Sequence, residues 1–206
     1  MENPSRQQNR IHRKRRRAFW DGLFIQNPVL AGGAGLSLIL TGGQSVQLAW
    51  VLVLLQLVLL IPVCLLGNVL GKRMFPWLRV PFILLVAAGF YLPAGWAMLP
   101  LFSMDMGKLG LCGILTITNT VLVTVGTRTA CEKDLATTFA AAFGSGVGFG
   151  AVLMIVCGVW GILMSINEEV FQRASVVIGL GTVACLGAVW QYLKNRRTEK
   201  QRREWS

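Results

Sequence analysis

Charged residues are scarce in this chain and are absent from long stretches of it. Asp, Glu, Lys and Arg make up 14% of the 206 residues, whereas 54% are hydrophobic. The mean hydropathy is +0.58. Several uncharged stretches reach about 20 residues, the length that a helix needs to cross the hydrocarbon core of a bilayer. This composition excludes an ordinary soluble domain and predicts an integral membrane protein with one membrane domain.

Side chains that carry out chemistry are lacking as well. No Asp, Glu, Lys, Arg or His lies in the middle of an apolar stretch, which excludes a proton relay or an ion path built on intramembrane carboxylates. The sequence has no nucleophile paired with a base, no cluster of metal ligands and no nucleotide-binding motif. It therefore indicates no catalytic residue and no metal site, and at most a non-catalytic role within a larger assembly.

The cysteines form no framework. They are odd in number and never spaced as Cys-x-x-Cys, which argues against disulfide and zinc sites. Most lie in apolar stretches, where a cysteine usually serves as a small packing residue. The five are Cys64, Cys112, Cys131, Cys157 and Cys185.

The long apolar runs predict an all-α fold with six membrane-spanning helices. They lack the period-two alternation of a membrane barrel, and a lipid environment leaves helices as the alternative. The predicted spans are Pro28–Thr41, Val46–Leu70, Val80–Phe102, Leu109–Gly126, Ala136–Ile166 and Ser175–Leu193.

Two of these spans have compositions that predict interrupted helices. The segment 27–43 is rich in Gly, and the segment 109–122 is rich in Thr with one Asn. Interrupted segments in corresponding halves of a chain indicate inverted repeats with a functional site near the bilayer midplane. We therefore predict a membrane domain at 21–194, made of one three-helix repeat at about 21–102 and a second at about 109–194. Basic tails, 1–20 and 195–206, flank this domain.

The distribution of positive charge predicts the orientation. Of the 20 Lys and Arg residues, 18 lie in the two tails or in alternate loops, and only Lys108 and Arg173 lie in the other loops. By the positive-inside rule both termini are cytoplasmic. Asp105 and the turn that begins at Asn167 then face outward. The basic run Arg13–Arg17 is suited to anionic lipid headgroups, and we do not expect nucleic acid as a partner.

The second interrupted segment supplies most of the candidate polar groups. Its hydroxyls and amide have three alternative roles: to hydrogen-bond between helices, to coordinate a desolvated cation, or to cap half-helices. We expect the candidate midplane site to comprise Ser37, Thr116, Thr118, Asn119 and Thr120. Farther along, Ala142, Gly146 and Gly150 are spaced for a close helix crossing.

Several motifs resemble those of the membrane subunits of Rnf and Nqr complexes. The stretch Asp21–Leu30 leads into Gly35-Leu36-Ser37, where the family has Gly-Leu-Cys. The stretch Ile117–Thr120 is similar to the family's Thr-Asn-Cys motif, and the Gly-rich helix 143–150 follows after Arg128. The resemblance implies a subunit of a complex that couples electron transfer, from NADH or ferredoxin to a second carrier, to pumping of sodium ions or protons. It also implies the inner membrane of a bacterial or archaeal cell.

The resemblance further implies a partner and a cofactor. In the family, two paralogous subunits of opposite topology share a two-iron, two-sulfur cluster, and each gives one Cys from each half. Here Ser37 and Thr120 occupy those positions. Because iron-sulfur clusters are held by thiolates, we expect this chain to hold no cluster of its own. We also expect Ser37 and Thr120 to lie near each other at a protein-covered midplane. The alternative reading is a small inverted-repeat transporter or channel for an ion or a solute.

Overall fold

A computed structural model describes residues 4–43, 45–103, 106–130, 134–166 and 168–203, and the regular elements within these ranges are all helical. The predicted all-α fold is thereby confirmed. Cys131, Asp105 and Asn167, which the sequence analysis singled out, lie outside the described residues.

Nine α-helices are found within the described residues. Short π-helical and 3-10 turns at Asp21–Ile25, Pro76–Leu78 and Leu99–Phe102 adjoin them. In chain order the helices are α1 (Pro4–Trp20), α2 (Pro28–Gly32), α3 (Leu36–Gly42), α4 (Val46–Gly71), α5 (Arg79–Met98), α6 (Met106–Ile117), α7 (Thr120–Thr129), α8 (Leu135–Ile166) and α9 (Glu168–Arg203).

Five helical stretches of the described chain are long and apolar enough to cross a membrane, by length and composition. They coincide with the second to the sixth predicted span. One of them joins α6 and α7, which the break at Thr118 and Asn119 separates.

The first predicted span, Pro28–Thr41, is interrupted, as its composition predicts, and it is not among the five long helices of the described chain, so the count of six helices is not exact. It consists of α2 and α3, with 5 and 7 residues. At 1.5 Å per residue these two helices cover only about 18 Å. Gly33 and Gly35 lie between them in the left-handed conformation, with φ of 64° and 80°, and this ends the helical hydrogen bonding.

The first segment that crosses the membrane domain, which we call the first crossing, begins before the predicted start at Pro28. Its path can be followed from its contacts with α8. A Cβ atom on Gly22 would lie 2.8 Å from the carbonyl oxygen of Ala141, and one on Gly43 would lie 3.4 Å from the ring of Trp160. The 19 helical steps from Ala141 to Trp160 rise about 28 Å, close to the thickness of the hydrocarbon core. The segment 22–43 therefore crosses most of the bilayer depth, parallel to α8.

The second spanning helices of the two halves, α4 and α8, pack against each other in the core. Gly146 of α8 faces Leu57 of α4, and Gly150 faces Val53 one turn farther along, so the two helices are antiparallel. A Cβ atom at either glycine would lie 2.7 Å from its neighbour. The close crossing predicted from the small-residue spacing is therefore present.

The last helix returns along the first crossing. Gly187 of α9 lies near the Leu30 carbonyl, and the Trp190 indole donates a hydrogen bond to the Phe24 carbonyl. The residue numbers rise on one segment as they fall on the other, so α9 is antiparallel to the first crossing. The start of the first crossing and the end of α9 therefore lie on the same side of the molecule.

The predicted N-terminal tail is helical from Pro4 and packs on α8 through α1. Phe19 stacks on Phe143 with ring centroids 6.1 Å apart, and Arg15 forms an ion pair of 3.6 Å with Asp134 just before α8. The Thr137 hydroxyl donates a hydrogen bond of 2.9 Å to the same carboxylate, which holds the pKa of Asp134 below its usual value. This contact fixes α1 against the end of α8 that lies beside the start of the first crossing.

Candidate functional site

Asparagine side chains cap the half-helices α2 and α7. The Asn119 Oδ1 atom accepts a hydrogen bond of 3.1 Å from the Val121 N–H, which caps α7. In the same way Asn27 Oδ1 accepts one of 3.0 Å from the Val29 N–H, which caps α2. An Asn cap satisfies a backbone donor that would otherwise be exposed where a half-helix begins inside the membrane. Asn119 is among the predicted site residues and Asn27 is not, although the Asn-Pro pair is itself a helix-start signal.

The two breaks meet through one hydrogen bond. The Gly35 N–H donates to the Thr120 hydroxyl at 2.7 Å and joins the two halves of the chain at the start of α3 and α7. Consecutive Cα atoms are 3.8 Å apart, so the Cα of Ser37 lies at most about 12 Å from Thr120 Oγ1. The structure therefore places Ser37 and Thr120 close together.

Gly35 fits this junction because it has no side chain. A Cβ atom there would lie 2.9 Å from Val121 Cγ2, 3.0 Å from Asn119 Oδ1 and 3.0 Å from Phe149 Cε2. Its φ of 80° is also one that residues with a Cβ rarely adopt. Close approach and backbone conformation thus both require glycine at this position.

Gln56 is a site residue that the sequence analysis missed. It is fully buried in α4, and its Oε1 accepts a hydrogen bond of 2.9 Å from Asn119 Nδ2. The Nε2 atom of Gln56 is buried without a hydrogen-bond partner among the described residues. The sequence signal for Gln56 was its position as a polar residue inside an apolar span, since such residues usually face other helices.

Two of the predicted site residues bond to their own helix instead. The Thr116 hydroxyl donates to the Cys112 carbonyl at 2.7 Å, and the Thr118 hydroxyl donates to the Ile114 carbonyl at 3.2 Å. This is the ordinary i−4 contact of a threonine in a helix. Thr116 is buried and Thr118 is exposed, so only the latter faces outward at the break.

The exposed hydroxyl residues beside the two breaks are Ser37, Thr118 and Thr120, which we call the hydroxyl patch. Behind it, Asn119 bonds to Gln56, which is near the middle of the 26-residue helix α4. The patch therefore lies at about half the depth of the membrane domain. Its electrostatic character comes from the N-terminal ends of α3 and α7, which carry partial positive charge.

The donor atoms at this junction are oxygen and nitrogen. Within the part of the chain that the structure describes, no three His, Cys, Asp or Glu side chains are grouped as a metal site would require. Hydroxyls, amides and backbone groups of this kind suit hydrogen bonding between protein segments.

Comparison with known proteins yields one family. A family model described as "Rnf-Nqr subunit, membrane protein" matches residues 16–190, which include both helix breaks and all but the end of the last spanning segment. No curated protein and no solved structure matches the chain significantly.

Proposed function

The chain belongs to the Rnf-Nqr family of membrane subunits, and from this premise we propose that it is a scaffold subunit without a cluster of its own. Members of this family are membrane subunits of ion-translocating electron-transport complexes. The chain is accordingly a multi-pass membrane protein that works with other membrane subunits.

We propose that the hydroxyl patch is the contact face for the partner. Ser37, Thr118 and Thr120 are exposed at mid-depth, where lipid offers no hydrogen-bond partners and polar groups face protein or a water-filled cavity. A paralogous subunit of opposite topology would bring its own helix breaks to the same depth. The observation that supports the proposal is the hydrogen bond from Gly35 to Thr120, because it joins the segment that contains Ser37 to Thr120.

The residues at this face do not fit an iron-sulfur cluster. Ser37 and Thr120 offer hydroxyls where thiolates are needed, and the Thr120 hydroxyl already accepts the Gly35 N–H. Cys112 is eight residues before Thr120 and lies on α6, on the other side of the helix break. We therefore propose that the redox groups of the complex are held by other subunits and that this chain supplies a packed, polar contact.

The orientation follows from charge. The excess of Lys and Arg in the tails and in alternate loops supports cytoplasmic termini in the inner membrane of a bacterial or archaeal cell. The antiparallel course of α9 and the first crossing supports the same arrangement, since it brings both ends of the membrane domain to one side.

The partner face is tested by site-specific photo-crosslinking in native membranes. A photoreactive amino acid replaces Ser37, and as a control it replaces Leu85, which is 73% exposed on α5. We expect Ser37 to crosslink to another Rnf-Nqr membrane subunit, identified by mass spectrometry, and Leu85 to crosslink to lipid. Equal crosslinking of both positions to the same subunit, or lipid adducts alone at Ser37, would contradict the partner face.

The absence of a cluster is tested on the same chain purified anaerobically. We compare wild type, the Ser37→Cys/Thr120→Cys pair, and a Thr41→Cys/Thr124→Cys control one turn farther along the same half-helices. The proposal would be overturned if the wild type bound iron and acid-labile sulfide in equal amounts to each other, as an iron-sulfur cluster requires. Iron-sulfur absorbance in the first pair but in neither of the others would support it.

A further inference from the structure

A basic cavity lies where α1, α7 and α8 converge, away from the helix breaks. Its volume is about 750 Å³, which is within the range of pockets that hold small ligands. The residues that line it are Arg13, Lys14, Arg17, Ala18, Asp21, Gln26, Arg128, Thr129, Thr137 and Ala141. Four of these carry a positive charge and one carries a negative charge, so the lining is strongly cationic.

The cationic side chains come from distant parts of the sequence. Arg13 and Arg17 are one turn apart on α1 and therefore share a face of that helix. Arg128 is at the end of α7, where its guanidinium donates to the Gln26 carbonyl at 3.3 Å and to the Ser145 hydroxyl at 3.4 Å. The positive-inside rule explains positive charge on one side of the membrane, but it does not explain why these side chains converge on one concave surface.

Arg15 does not line this cavity, although it lies in the same basic run. It pairs with Asp134 instead. That contact holds α1 against the start of α8 and turns the face with Arg13 and Arg17 toward the cavity. A concave surface lined by charge of one sign concentrates ions of the opposite sign.

The cavity lies at the membrane boundary. Asp21 lines it, and the neighbouring aromatics Trp20 and Phe24 stack with ring centroids 5.5 Å apart and are 45% and 49% exposed. Exposed tryptophan of this kind is typical of the headgroup region of a bilayer. A phosphate held in the cavity would therefore have its acyl chains beside an apolar surface of the same protein.

We propose that this cavity binds a phosphate-bearing anion, namely the headgroup of an anionic phospholipid of the cytoplasmic leaflet. Arg13, Arg17 and Arg128 contact the phosphate, since guanidinium groups match its geometry and charge. Basic pockets at the cytoplasmic ends of spanning helices are a recurring way of holding such headgroups. The bound lipid then bridges α1 to the end of α7.

The test measures lipid binding by the full-length chain purified in a non-ionic detergent. The probes are dioleoyl phosphatidylglycerol, dioleoyl phosphatidylcholine and free glycerol phosphate, each followed by native mass spectrometry and thermal stability. We expect saturable binding of phosphatidylglycerol only. The Arg13→Gln/Arg17→Gln variant should bind it roughly 30-fold more weakly, from about fivefold for each cation lost near an anionic headgroup.

The matched control removes the same charge elsewhere. Arg16 and Arg73 are exposed and do not line the cavity, so Arg16→Gln/Arg73→Gln should bind within about twofold of wild type. Both variants leave Arg128 and the core contacts of α8 unchanged, and circular dichroism checks that they fold. An equal loss in the two variants, or equal binding of phosphatidylcholine, would overturn the site. Equally tight binding of glycerol phosphate would overturn its assignment to a lipid.

Discussion

Replacement of Gly35 by alanine tests whether the two helix breaks are locked together as the structure shows. The added methyl group meets Val121 Cγ2 at 2.9 Å and Phe149 Cε2 at 3.0 Å, both in closely packed surroundings. The same residue must keep a φ of 80° for its N–H to reach the Thr120 hydroxyl. The substitution therefore strains both the packing and the backbone.

The two costs can be added. A left-handed conformation costs a residue with a Cβ roughly 1–2 kcal/mol, and an extra methyl group in a packed core costs about 1–3 kcal/mol. We expect Gly35→Ala to lower the free energy of unfolding by roughly 2–5 kcal/mol. For a chain of this size that corresponds to a fall of at least about 5 °C in the melting temperature.

The assay is thermal unfolding of the purified protein in detergent, followed by a thiol-reactive dye that reports the buried cysteines. Gly32→Ala is the matched control, because it lies three residues earlier, at the end of α2, and a Cβ there would meet nothing within 4 Å. We expect the control to melt within about 2 °C of wild type. A Gly35→Ala protein that melts with the wild type would refute the packed junction, and so would equal losses in the two variants.

Two further predictions concern the core of the junction and the orientation. Asn119→Ala removes the α7 cap and leaves the buried Gln56 oxygen unpaired, so it should destabilise the protein by about 2–4 kcal/mol. A Gln56→Leu background should shrink that loss in a thermal double-mutant cycle, and an undiminished loss would argue against the pair. A cysteine at Asp105 should react with an impermeant maleimide in intact cells, whereas one at Arg16 should react only after permeabilisation. The reverse pattern would invert the topology.

The fold was largely predictable because the bilayer restricts the choices. Long uncharged runs located α4, α5, α8 and the spanning part of α9, Ala174–Arg196, to within a few residues, since a membrane helix must satisfy all its backbone groups internally. The first crossing was harder to place. Its early part is a π-helical turn at Asp21–Ile25 that packs on α8. Because this turn contains the charged Asp21, composition placed it before the first span rather than within it.

The candidate site was predictable only in part. Gly and Asn located the breaks, because these residues favour left-handed turns and helix caps. The partners across the junction could not be read from the sequence. Gln56 is 63 residues from Asn119, and Arg128 is more than 100 residues from the α1 arginines, so only the packing of the helices shows that they meet.

The contacts between the two helix breaks show why the fold does not depend on cysteine at positions 37 and 120. Two hydrogen bonds hold the junction: the Gly35 N–H donates to the Thr120 hydroxyl, and the Asn119 amide donates to Gln56 Oε1. The close approach of Gly35 to its neighbours is the third contact. None of these contacts needs a thiolate. A hydroxyl at position 120 accepts the Gly35 N–H directly, so the scaffold closes with protein groups alone. Ligand chemistry and packing are therefore separable at this site, which supports the proposal of a subunit that keeps the family scaffold with hydroxyls at these positions.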